Sequence, residues 1–206
     1  MSGAFTERLA ARISELRTTP GFTVKEAEVR APAGSRVIDA VRSRVGGRLP
    51  EGVPEFYGEA DGFRLAWEYA DPQAGGGVTA SGTVDVLPLE DVFGDWEGAV
   101  WFAGLEGGER FKSVKPFDLY IPESCAAFRL GAGGVPEDSV HLHTLGEDLT
   151  ELPLSFAEYL DETLNSCGYL GWHTALRTPG SRRTSEPPAL ARMREIVPGF
   201  ADRRFR

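Results

Sequence analysis

Cysteine, lysine and asparagine are all scarce in this chain of 206 residues. Its two cysteines, Cys125 and Cys167, have no CxxC spacing, which excludes the disulfide framework of a small secreted domain. They read instead as small buried hydrophobes of a reducing compartment. Lysine occurs only at positions 25, 112 and 115, and Asn165 is the only asparagine. A GC-rich coding sequence produces that bias, so the choice of arginine over lysine carries little functional weight here. No apolar run approaches the ~20 residues of a membrane span. Glu7 and Arg8 stand where a signal peptide needs its apolar core, so the sequence predicts a cytoplasmic protein. There is no GxSxG elbow and no GK[ST]. The glycine run at 131–136 places Pro136 where GxGxxG requires its last glycine.

What the chain has in quantity is acid. Thirty-one Asp and Glu face 22 Lys and Arg, a net charge of −9 that argues against coating a nucleic-acid backbone. The charge is unevenly spread. Residues 1–45 sum to +3, residues 46–171 to −17 and residues 172–206 to +5. Such asymmetry bears on partner choice by electrostatics, whereas the fold is set by other forces.

Hydrophobic periodicity outlines the elements. Phe5, Leu9, Ile13 and Leu16 make one face of a helix over 4–17. Residues 22–30 alternate weakly and fit a strand or an extended connection. Ser35 is placed to cap a helix carrying Val37, Ile38, Val41 and Val45, and Gly46-Gly47 ends it. A short helix from near Pro54 holds Phe56, Tyr57 and Ala60 and is closed by Asp61-Gly62. From Phe63 the period becomes two, with Phe63, Leu65, Trp67 and Tyr69 inward. Further strands are expected at 81–89, 98–104, 110–120, 126–131 and 139–145, joined by glycine-rich turns that favour antiparallel pairing. Ser155-Phe156-Ala157-Glu158 reads as a capping box opening a helix with Phe156, Leu160, Leu164 and Cys167 on one stripe. Residues 177–189 read as a polar linker, followed by a short helix with Leu190, Met193 and Val197 on one side. Helices, then strands, then a helix define an α+β class.

Three constellations invite chemical readings. His141 and His143 share a strand face, and Glu147 follows at a spacing similar to the first metal motif of cupins. Gly134 lies one residue too far upstream for that motif, position 154 is leucine, and no second motif follows. The alternative is a pair of half-exposed strand histidines. Acidic pairs such as Glu90-Asp91, Glu137-Asp138, Glu147-Asp148 and Asp161-Glu162 are too numerous for any one to stand out as a tuned acid and base. The arginines of the tail, among them Arg182, Arg183, Arg192, Arg194, Arg203, Arg204 and Arg206, fit either a contact with nucleic acid or an acidic surface, or a solubilising extension that is partly disordered or folds back on the chain's own acids.

An ordered set of short motifs then carries a family resemblance. Gly46, Leu49-Pro50, Phe56-Tyr57, Asp61-Gly62 and Trp67 come first, and Phe117-Asp118, the alternating residues 139–145 and Ser155-Phe156 follow. In that order they resemble the SUKH superfamily, which unites fungal cell-wall-synthesis regulators with bacterial toxin-immunity proteins. Arg42 stands where the family often has a glutamate. The resemblance covers about residues 35–176, leaving 1–34 as a helical extension and 177–206 as a basic linker with a short helix.

The resemblance implies a curved antiparallel sheet with helices packed around it, serving as a protein-binding platform without a cofactor. It implies an immunity protein that blocks a cognate toxin, often a nuclease, while the net acidity and the lack of a long apolar run argue against nucleic acid and membrane as partners. Charge fits that expectation independently, because a nuclease presents a basic face to which an acidic inhibitor is steered. Asp61, Glu68, Asp91, Asp95 and Trp96 are the candidate contacts. A regulatory or scaffold protein of the same fold, reaching partners through its extensions, is the alternative. A metal-dependent enzyme using His141, His143 and Glu147 is the third.

Overall fold

The computed structural model describes residues 4–73, 75, 77–176 and 186–205. Helix α1 (Phe5–Thr18) buries Phe5, Leu9, Ile13 and Leu16, the face expected from their spacing. Seven strands form one antiparallel sheet, not closed into a barrel. They are β1 (Phe22–Val29), β2 (Phe63–Ala70), β3 (Val78–Val86), β4 (Val114–Ile121), β5 (Ser124–Arg129), β6 (Ser139–Thr144) and β7 (Thr150–Ser155), adjacent in that same order. Helices α2 (Ser35–Arg44), α3 (Val53–Glu59), the one-turn α4 (Leu89–Val92), α5 (Phe156–Ser166), α6 (Trp172–Ala175) and α7 (Pro188–Ile196) complete an α+β architecture. Among the described residues, no helix is long and apolar enough to cross a membrane.

Several local readings need correction. Residues 98–104 form a turn, in which the Trp96 carbonyl accepts the N–H groups of Ala99, Val100 and Trp101. Val100 and Trp101 are adjacent and both buried, which a strand with one covered face cannot achieve. Ser35 is the first helical residue of α2, and the extended Gly34 is its N-cap without a side-chain hydrogen bond. Helix α3 is ended by the extended Ala60. Gly62 (φ 89°) serves a different purpose, because a Cβ there would strike the carbonyl oxygen of Val86. Strand β7 lies outside the expected strands, and Pro153 within it is tolerated because β7 is an edge strand. The linker assigned to 177–189 falls outside the described residues as far as 185.

The described residues group into two compact units. One draws on residues 1–28, 64–84 and 158–206. In it, Trp67 is buried and its Nε1 donates to the Cys167 carbonyl at 2.7 Å. Burial holds the His173 imidazole down to about 3, so it is neutral, and its Nε2 shares a hydrogen bond with the Tyr159 hydroxyl at 2.8 Å. Arg12 of α1 donates to the carbonyls of Leu164 and Asn165 at the end of α5 and to that of Pro198 beyond α7. Leu190, Met193 and Ile196 of α7 are buried, as are Val197 and Phe205.

The other unit draws on residues 29–63 and 85–157. Its core is aromatic. Phe117 meets Phe128 at 4.7 Å and Phe156 edge-on at 5.2 Å, while Phe93 stacks on Phe128 at 5.9 Å. Asp118 is almost wholly buried and accepts the Asp85 N–H at 2.8 Å, while the Tyr57 hydroxyl donates to the Leu87 carbonyl at 2.9 Å. These bonds satisfy polar groups at the end of β3 that burial would otherwise penalise.

Candidate protein-binding surface

The second unit carries a smaller apolar cluster built on Val100, Trp101, Phe111, Val114, Cys125 and Ala127, with Trp96 packed against its edge. The long connection from α4 to β4 supplies Trp96, Val100, Trp101 and Phe111, so this loop is shaped by its own side chains. Asp95 accepts from the Trp101 indole and from the Glu97 N–H, both at 3.1 Å. Trp96 donates its indole N–H back to the Val92 carbonyl at 3.2 Å, leaving its ring half-exposed. Lys115 is buried, and its ammonium donates to the Gly94 carbonyl at 2.8 Å. Desolvation lowers the Lys115 pKa, while nearby Asp95 acts in the opposite direction.

The five candidate contacts are thus divided. Asp91, Asp95 and Trp96 lie close in the chain on α4 and the loop that follows, and Asp91 and Asp95 are exposed. Asp61 belongs to the same unit, but its carboxylate accepts the Leu89 N–H at 2.8 Å and so caps α4. Asp95 likewise spends one oxygen on Trp101 and a turn. Glu68, on β2, belongs to the other unit and is ion-paired with Lys25 at 2.8 Å.

Beside this loop lies a cavity of about 440 Å³ lined by Val100, Phe102, Leu105, Glu106, Arg110, Phe111 and Leu145. Sequence reading missed it. Leu105 sits between Gly104 and Gly107-Gly108 and Leu145 precedes Gly146, so both looked like turn residues. A lone large apolar residue in a glycine loop was the only available signal. A larger cavity of about 780 Å³ lies in the first unit between α1, α5 and the C-terminal segment. Its arginines are engaged internally, Arg8 with Asp161 at 2.7 Å and Arg12 with Glu15 and three carbonyls.

His141 and His143 do face one side of β6, but they are 3% and 2% exposed, which overturns the half-exposed reading. Desolvation lowers both pKa values, aided by Arg129 near His141 and Arg110 near His143. Glu147 is exposed in the turn after β6. Among the described residues no group of three or more His, Cys, Asp or Glu is placed to hold a metal ion. Burial pushes the Cys125 thiol up to about 12, so it stays protonated at neutral pH.

Charge separates sharply. The second unit contains 19 acidic and 9 basic residues, a net of −10, and the remaining positions sum to +1. Its cations are largely committed: Arg48 to Asp138, Arg129 to Glu137 at 2.9 Å, Arg110 to Asp148 at 3.2 Å, and Lys115 to a carbonyl. Compared with known family models and with curated proteins, the sequence matches none.

Proposed function

We propose that this chain is a non-enzymatic SUKH-type binding protein, an immunity protein whose acidic unit occludes the basic face of a toxin such as a nuclease. The observation that carries this reading is the concentration of the chain's entire excess of negative charge in one compact unit. A field of that sign steers a basic partner and repels nucleic acid and anionic membranes. The sequential antiparallel sheet, the pair α2 and α3 ahead of β2, and the helix that starts at Phe156 right after Ser155 support the SUKH resemblance at the level of architecture. The scaffold alternative draws on the basic tail. Of its four described arginines, 192, 194 and 204 are already paired with Glu195, with Glu186 and Asp202, and with Glu158 and Glu162, which leaves the exposed Arg203.

The test is affinity purification with the full chain from its native host. A basic protein is expected to be retained at low salt and released as ionic strength rises from about 50 to about 300 mM. Recovery of no basic partner, or of one indifferent to salt, would overturn the reading.

A further inference from the structure

We infer that the acidic unit seats its partner at the cavity walled by residues 100–111 and the β6–β7 turn. The occupant is one apolar side chain on a partner loop, flanked by lysine or arginine. This inference rests on the function proposed above and adds a place and a recognition chemistry to it.

The apolar part of the argument is exposure. Leu105 and Leu145 are 62% and 51% exposed, and both line this one cavity of about 440 Å³. Binding sites commonly span roughly 300–1,000 Å³, so the space suits a single large side chain with its neighbours. Buried Val100 and Phe111 lie behind the two leucines. The lining glycines Gly107 and Gly146 have no neighbouring atoms within 4 Å of a Cβ position, which keeps both loop tips open.

Charge complementarity identifies the occupant. Glu106 lines the cavity, and Glu109 and Glu147 stand in the same two loops. None of these three forms an ion pair among the described residues. The one cation of the lining, Arg110, is held by Asp148 at 3.2 Å and by the Gly146 carbonyl at 3.4 Å, and it lies over the Phe111 ring. It therefore joins the two walls and offers little positive charge to a visitor. An apolar floor with a negative rim favours a basic segment with an apolar tip. The cations raise the rate of encounter, and the desolvated tip lengthens the stay.

The experiment uses the full chain and the synthetic peptide acetyl-Gly-Lys-Arg-Trp-Arg-Lys-Gly-amide, followed by amide chemical-shift mapping. The peptide is expected to shift residues 100–111 and 145–147. The effect should vanish when serine replaces its tryptophan or glutamates replace its basic residues. The paired substitution Leu105→Ser with Leu145→Ser should weaken binding by about tenfold. Glu106→Gln, Glu109→Gln and Glu147→Gln together should weaken it at low salt only. All these positions are exposed, and the variants' amide spectra verify folding. Shifts that map elsewhere, or unchanged binding by the leucine variant, would overturn the inference. A basic partner that binds the leucine variant unchanged, yet with salt dependence, sinks this inference and leaves the proposed function standing. If no basic polypeptide binds the chain at all, both fail.

Discussion

His143 is enclosed by Phe111, whose ring lies 4.7 Å away, and by its cross-strand partner Cys125 on β5. Neither ring nitrogen has a hydrogen-bond partner among the described residues. A buried donor left unpaired costs about 1–3 kcal/mol, and charging the ring there would cost more. Since folding lowers the His143 pKa, the unfolded chain binds the extra proton. Its contribution to stability is therefore complete above the ordinary value of 6.5 and declines as pH falls below it. His143→Leu is expected to stay within about 1 kcal/mol of the parent at pH 7, since an apolar group of similar size replaces an unsatisfied one. The same variant should lose less stability between pH 7 and pH 5, read from urea midpoints at each pH. An unchanged pH dependence would show that His143 is not among the groups responsible. Asp61 teaches the complementary lesson. An acid before a glycine is indistinguishable in sequence from a free surface carboxylate, and only the approach of Leu89 reveals it as a cap.

At the scale of elements, α7 stands on apolar burial. Met193 is fully buried and Leu190 nearly so, whereas the arginines of the same segment pair at the surface. Met193→Ala should cost about 2–5 kcal/mol. Arg204→Gln should cost less than about 1 kcal/mol, although it breaks contacts to Glu158 and Glu162. Denaturant unfolding of the two variants compares them directly, and equal costs would mean that ion pairs anchor the segment. The helices were legible because their stripes are long: all four predicted residues of α1 are buried, and α5 begins right after Ser155. Short elements were legible where apolar residues alternate, as at Phe63, Leu65 and Trp67 of β2, or where glycine-rich turns bracket an apolar run, as for β5. Pro153 concealed β7, and the apolar residues of 98–104 simulated a strand because burial under a turn leaves no period to read.

Across the whole molecule, segment sums taken along the chain give −17 for residues 46–171, but folding redistributes them. Strand positions 64–84 and the chain from 158 onward group with the basic ends, and the acid excess of the other unit is −10. That number was out of reach in the sequence, because it depends on which distant segments pack together. One consequence concerns light. Trp67, Trp101 and Trp172 are buried, whereas Trp96 is half-exposed between Asp95 and Glu97. Its indole is thus a fluorophore bathed in the unit's own negative potential. Caesium ions, normalised to their effect on free tryptophan amide, should quench its emission more strongly than iodide, since local carboxylates gather cations and exclude anions. Trp96→Phe should remove the difference, and equal quenching by both ions would speak against a negative potential there. A partner seated on this face would shield the ring from both quenchers, so docking is readable by emission without any added label.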